Sequence, residues 1–185
     1  MKEIILIRHA KVAMEGNIRM ASSELVNFVS MYDIAALEEI SKPSQELHNL
    51  VNEADYLLTS KLFRTIASAE HFEKAIDEQN ELFNEAGIPT VHIPWFRFKA
   101  KTWLVILRLL LFTGRGKGDD SFKASNARAK RAVDRLLELS EEHDRVVLVG
   151  HGGMNFFMRR ILLKQGWKLQ RKGSSKNWGL TRLVI

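Results

Sequence analysis

The sequence predicts an α/β protein: a three-layer α/β/α sandwich on a mostly parallel central sheet. Two short runs carry much of that prediction. Residues 3–8 (Glu-Ile-Ile-Leu-Ile-Arg) and 145–149 (Arg-Val-Val-Leu-Val) are apolar and β-branched, the pattern of strands buried on both faces. Both runs stop abruptly, the first at His9 and the second at Gly150-His151. Strand and helix patterns also alternate along the chain, as a sheet with helical crossovers requires. Ligands in open α/β sheets bind at the carboxyl ends of the strands, so two strands deliver His9 and His151 to one rim. Either histidine alone is as well explained by a satisfied imidazole. Two at matching strand exits, one preceded by Arg8, mark a site.

The remaining elements follow in order. Residues 11–21, rich in Lys, Gly, Asn and Arg, read as a loop, and 22–40 as a mixed helical stretch broken by Lys42-Pro43-Ser44. A short helix over 44–52 follows, with proline ahead of its first turn. Residues 55–59 read as a strand and 61–74 as a helix, with Leu62, Ile66 and Ala69 near helical spacing. Ser60 is placed to cap that helix, and Arg64 then lies near a helix start, where anions are favoured. Residues 81–85 read as a short extended piece. The segment 91–98 is aromatic and basic, and 103–112 is the most apolar run of the chain. The glycines of 114–118 form a loop, since neither a preceding strand nor a following Lys-Ser/Thr makes them a P-loop. Asp119 or Asp120 is placed to cap a helix that runs to His143-Asp144. After His151, Gly152-Gly153 lets backbone approach a ligand and opens a helix over 154–165; residues 177–185 read as a last strand.

At 185 residues the chain fits one domain, 1–185, with an insertion at 87–118. With 45% hydrophobic and 27% charged residues it has the balance of a soluble globular protein. It has no cysteine, which excludes disulfides, thiolate metal sites and a cysteine nucleophile. The start is no signal peptide, so a cytoplasmic location is expected. The net charge of +6 suits an anionic partner. The basic residues are densest at 128–135, read as a solvated helix face, and at 164–176, where Trp167 and Trp178 suggest an anion-attracting surface. They form no stripe with a stacking platform, so no nucleic acid is expected. The 103–112 run is about half a membrane span and contains Arg108, so no membrane partner is expected. That run serves equally as a helix over the site or a subunit contact, and oligomeric state stays open.

Arg8, His9, Arg64 and His151, with Ser60 and Glu85 nearby, make an anion pocket. Guanidinium forks match phosphate oxygens bidentately. No carboxylate cluster for Mg²⁺ and no His-x-x-x-His pair for zinc occurs, so neither a metal nor another cofactor is expected. Without a cysteine or a serine elbow, a neutral histidine is the natural nucleophile. A leaving alkoxide then needs a proton, and Glu85 is placed to give it.

Four segments, in order, resemble the signatures of the histidine phosphatase superfamily, the phosphoglycerate-mutase-like proteins. They are Ile7-Arg8-His9-Ala10, Thr59-Ser60-Lys61-Leu62-Phe63-Arg64-Thr65, Asn84-Glu85-Ala86 and Val149-Gly150-His151-Gly152; Tyr32-Asp33-Ile34-Ala35-Ala36-Leu37 resembles a further family segment. The resemblance implies that His9 is phosphorylated, that Arg8, Arg64 and His151 clamp the phosphoryl oxygens, and that Glu85, with Glu81 as the alternative, is general acid and then base. It implies an anionic small-molecule or phosphoprotein substrate and a lid at 87–118, with His92, Trp95, Arg97, Lys99 and Lys101 gripping the rest of the substrate. Two departures matter. Ala10 stands where the family usually has glycine, which is harmless if the backbone there needs no positive φ. Lys11-Val12 stands where mutases usually have Glu-Ser/Thr, and Asn17 lies further along than their asparagine; this favours a phosphatase over a mutase. A binding module on the same fold and a basic nucleic-acid binder are the readings from other classes. The first has no use for a nucleophile, and the second predicts steeply salt-dependent binding.

Overall fold

A computed structural model of the chain describes residues 1–15, 17–89, 93, 95–113, 121–171, 173–174 and 176–185. His92, the 114–118 loop, Asp119 and Asp120 lie outside the described residues. The elements are β1 (Glu3–Arg8), β2 (Arg19–Met20), α1 (Leu25–Ile34), α2 (Gln45–Asn52), β3 (Tyr56–Thr59), α3 (Phe63–Ala69), β4 (Glu78–Gln79), a 3₁₀ turn (Glu81–Phe83) and β5 (Phe98–Lys99). They continue with α4 (Ala100–Phe112), α5 (Phe122–Glu142), β6 (Arg145–Gly150), α6 (Gly152–Lys164), β7 (Lys168–Arg171) and β8 (Leu180–Val184).

The central sheet has the order β4-β3-β6-β1-β8-β7. The pairs β4–β3, β3–β6 and β6–β1 are parallel, and the last two are antiparallel. Side chains alternate across a strand, and β1 shows what that does here. Ile4 and Leu6 enter one core with Leu136 and Ala132 of α5 and Met158 of α6; Ile5 and Ile7 enter the opposite core with Leu47 and Val51 of α2. The unbroken apolar runs at β1 and β6 are therefore central strands covered by helices on both sides, the predicted sandwich.

A third cluster is separate from these two. Leu25 of α1 and Trp103 and Leu107 of α4 pack with Met20 of β2, and the Trp103 Nε1–H donates to Met20 O at 2.8 Å. Residues 98–110 are thus joined to residues 19–29 through the β2–β5 ribbon and a small core. Among the described residues no helix is long and apolar enough to cross a membrane.

Several expectations are corrected. The helix expected over 61–74 is the shorter α3, because Phe72 turns into the α2-side core. The helix expected over 22–40 is α1, which ends at Ile34. The extended piece expected at 81–85 is a 3₁₀ turn, capped by Asn80. Ser121 caps α5, its Oγ accepting from Ala124 N at 3.1 Å. The basic stretch 164–176 contains the edge strand β7, and its Trp167 is buried in the core rather than on an anion-binding surface.

Glu3 closes the sheet at the end away from the site. Its carboxylate, 4% exposed as a residue, pairs with Arg145 Nε at 2.9 Å and with Arg182. Burial works to raise its pKa, but the hydrogen bonds and charges of Arg182 and Arg145 outweigh it and hold the carboxyl below its usual value. A carboxylate pKa lowered by folding contributes stability above its unfolded value, and that stability is lost as pH falls through the folded value. Glu3→Gln is expected to lower the urea-unfolding free energy by about 3 kcal/mol at neutral pH, since it removes the buried charge that Arg182 and Arg145 share, leaving Arg145 only the exposed Glu53. The difference should shrink as pH falls through the carboxyl's lowered folded value; a difference independent of pH would contradict the ion-pair account.

Candidate active site

The parallel strands β1, β6, β3 and β4 end on one edge of the sheet, and the residues that follow them build the site. His9 continues the ladder, its N donating to Gly150 O at 3.0 Å. Its ring is buried, with Nδ1 at 2.7 Å from Ala10 O. A carbonyl only accepts, so Nδ1 carries the proton and Nε2 carries the lone pair. Burial, joined by the charges of His151, Arg64 and Arg8, pushes the His9 pKa down to about 3. The imidazole is therefore neutral near pH 7.

The turn that holds His9 is fixed from two sides. Ala10 N donates to Ser68 Oγ at 2.8 Å, and Asn177 Nδ2–H donates to His9 O and Ala10 O at 2.9 Å each. Trp178 N donates to Arg8 O at 3.0 Å. Trp178 has a φ of 59°, the only positive value outside glycine among the described residues, so Ala10 sits in backbone that an alanine adopts freely. Segment 177–179 is thus a clasp on the nucleophile's turn ahead of β8, not the start of the strand.

His151 occupies the N-cap position of α6 and is fully buried, with its ring edge-on to His9 at 5.3 Å between centroids. Its Nε2 lies 2.8 Å from Ser60 Oγ, and its Nδ1 is buried without a hydrogen-bond partner. Burial first, then the charges of Arg64 and Arg8, holds its pKa well below the ordinary value. It does not line the cavity described below. Ser60 does not cap α3, whose N-cap is Leu62. Instead the Ser60 Oγ accepts from Leu62 N at 3.1 Å and joins Thr65 Oγ1 to His151.

Arg64 lies in the first turn of α3 and is 4% exposed. Its Nη1 pairs with Asp33 Oδ1 at 2.5 Å, and its guanidinium lies 5.3 Å from the Tyr32 ring centroid. Its Nε is buried without a hydrogen-bond partner. Arg8 packs against the start of α6: a Cβ on Gly152 would stand 3.5 Å from Arg8 Cδ.

Glu85 uses the same helix end. Its Oε1 accepts from Met154 N at 3.1 Å and from Ala86 N at 2.9 Å, while Oε2 lies 3.4 Å from Arg108 Nη2. A Cβ on Gly153 would stand 2.6 Å from that Oε1, so only glycine leaves room for the carboxylate. At Gly153 the missing side chain makes room for Glu85, whereas a Cβ at Gly152 would meet Arg8 only at ordinary contact distance. Arg128 holds the Glu85 segment from behind, donating to Asn84 O at 2.6 Å and Glu85 O at 2.7 Å. It was expected on a solvated face; it braces the site. Glu81 is exposed and lies outside the cavity lining.

A cavity of about 690 Å³ opens here, lined by Arg8, His9, Arg64 and Glu85 among others. Of the residues expected to grip substrate, Lys101 lines it; Lys99 and the 88% exposed Trp95 do not. Arg97 is turned to Glu24 at 3.1 Å. Arg108 lines it although the sequence offered only a lone cation within an apolar run. Asp33, Ser68 and Asn177 were also missed. Among the described residues no group of three or more His, Asp or Glu side chains is arranged to hold a metal ion.

No curated protein matches the sequence. Among solved structures, the product of an open reading frame of Mycobacterium tuberculosis superposes with a TM-score of 0.65 at 18% identity, covering 100% of this chain and 96% of that one. A mycobacterial glucosyl-3-phosphoglycerate phosphatase gives 0.61 at 16% identity, covering 100% and 93%. A phosphoserine phosphatase of Entamoeba histolytica, in complex with phosphoserine, gives 0.58 at 17% identity, covering 100% and 91%. At such identities these likenesses establish a shared fold. The family model of the histidine phosphatase superfamily, branch 1, matches residues 4–185, from β1 to the chain's last residue. Fold and sequence thus agree over nearly the whole chain, and it belongs to the histidine phosphatase superfamily.

Proposed function

We propose that the protein is a metal-independent phosphatase that hydrolyses a phosphate monoester through a phosphohistidine on His9. The observation that carries this reading is the state of the His9 ring: protonated at Nδ1 by its bond to Ala10 O, unprotonated at Nε2, and held neutral by burial beside arginine. Nε2 attacks phosphorus as the ester P–O bond breaks. Glu85 gives its proton to the leaving oxygen, then takes a proton from the water that attacks the phosphohistidine. Phosphate leaves and His9 returns to its starting state. Arg8 and Arg64, which line the cavity, meet the charge on the phosphoryl oxygens, which is the larger part of catalysis in phosphoryl transfer, and His151 completes the clamp only if the bound phosphoryl group reaches past the cavity lining to its unpartnered Nδ1.

The substrate is an anionic small molecule or a phosphoprotein, and the 87–118 insertion acts as a lid, its α4 contributing Lys101 and Arg108 to the cavity. Asp33 holds Arg64 before substrate binds, so an incoming phosphate competes with that carboxylate for the guanidinium.

Three outcomes are expected. Wild-type protein should hydrolyse an aryl phosphate in the presence of a chelator, and His9→Ala should lower turnover at least about 1,000-fold; activity surviving in the mutant would place the nucleophile elsewhere. Glu85→Gln should lower turnover of an alkyl phosphate by about 100-fold and of nitrophenyl phosphate much less, because the better leaving group needs less protonation. Gly153→Ala should copy that pattern by displacing Glu85, and equal losses on both substrates would speak against Glu85 as the acid. Finally, the folded His9 has a depressed pKa, so the stability this contributes is complete above about 6.5 and is lost as pH falls toward about 3. Denaturant unfolding across that window should show stability falling with pH, with a shallower slope in His9→Gln. An unchanged slope would mean that His9 is not held neutral by the fold.

A further inference from the structure

The cavity is far larger than a phosphate group needs. At about 690 Å³ it falls within the range of pockets that enclose a whole drug-sized ligand, about 300–1,000 Å³. Its phosphate end is set by Arg8, His9 and Arg64, and the rest of its lining shows what the remainder of the ligand meets.

That remainder is largely apolar. Leu25, Phe28 and Val29 of α1 face the cavity from one helix, and Leu104, Val105 and Leu107 of α4 from the other. Polar groups on the described lining are mostly engaged with the protein. Ser22 Oγ accepts from Ile93 N at 2.8 Å, and Ser30 Oγ donates to Val26 O at 3.2 Å. Asn84 Oδ1 accepts from Lys61 N at 3.1 Å, and Asn177 Nδ2 serves the His9 turn. A leaving group covered in hydroxyls would lose water here and find few partners to replace it, a costly exchange.

The apolar surface also continues outward. Val26 and Val105 line the cavity while remaining 54% and 56% exposed, and Leu109, one turn beyond Val105 on α4, is 62% exposed. A compact ring would leave this outer stripe unused, whereas an extended chain would cover it. Lys101 lies one turn before Val105 on the same helix and lines the cavity, adding positive charge that favours an anionic ligand.

We propose that the leaving group is a single unbranched apolar chain, so that the site takes alkyl phosphate monoesters. The phosphate would sit at His9 and the chain would run between α1 and α4 towards Leu109. This rests on the phosphatase reading of the same cavity. It excludes, as preferred substrates, small polar esters whose leaving group is a sugar, a glycerol or an amino acid.

The test is a chain-length series. Ethyl, butyl, hexyl and octyl phosphate, with glycerol phosphate and phosphoserine as polar comparators, are assayed for phosphate release below their aggregation concentrations. The same compounds are titrated calorimetrically into His9→Ala protein, where binding is read without turnover. A fully buried methylene is worth roughly fourfold in affinity, so kcat/KM and affinity should each rise two- to fourfold per methylene. Octyl phosphate should exceed both polar comparators at least tenfold. Leu104→Asn, and separately the surface variant Val105→Asn, should lower the octyl-to-ethyl ratio several-fold, a ratio that partial misfolding alone does not change. Affinity and turnover independent of chain length, or a preference for the polar esters, would overturn the proposal while leaving a phosphatase in place. Chain-dependent affinity without turnover of any ester by wild-type protein would uphold the ligand class and overturn the phosphatase reading instead.

Discussion

The hydrogen bond from His9 Nδ1–H to Ala10 O is the interaction on which the rest of the site depends. It decides which ring nitrogen keeps its lone pair, and so whether the buried imidazole has an atom to attack with. A contact between neighbouring residues is easily lost, and much of the surrounding structure resists that loss. The parallel β1–β6 ladder carries on to His9 N, Ser68 takes Ala10 N, and Asn177 takes both carbonyls of the turn. The strained backbone of Trp178 belongs to this clasp, anchored by the packing of its ring on Phe72 and His71.

A second device serves several residues at once. The start of α6 receives β6 through His151, abuts Arg8 at Gly152 and offers the Met154 N–H to Glu85 at Gly153. One helix terminus therefore spaces the arginine, the second histidine and the carboxylate relative to one another, and its partial positive charge suits an anion at the same place. Arg128 from α5 and Ser60 from the end of β3 lock the outer members of the group. Burial, reinforced by the positive charges gathered here, holds both histidine rings neutral.

The central sheet was readable because β1 and β6 are buried on both faces and so have unbroken apolar runs. Four other strands left no trace. β2, β4 and β5 have two residues each, too few for a period, and every residue of β7 is exposed on a charged edge. The histidines and arginines could be placed because they follow strands or open helices, and strand order brings those points together. Asn177 could not, because it acts on carbonyls 167 and 168 residues away and no local pattern reports such a bond. Arg128 was misjudged for a related reason: helical period shows that a residue faces outward, but not that an arginine there bends back to brace a neighbouring turn. Arg108 stood in plain view as a cation within an apolar helix, and only the packing of α4 against α1 shows that it faces the cavity.

The central claim is that His9 takes the phosphoryl group. Rapid acid-free quenching of wild-type protein mixed with excess aryl phosphate, followed by peptide mass spectrometry, tests it most directly. The account predicts a transient phosphoryl adduct on the peptide containing His9, stable to base and lost in acid as a P–N bond requires, and absent from His9→Ala. Turnover with no adduct, or an adduct on any other residue, would contradict it.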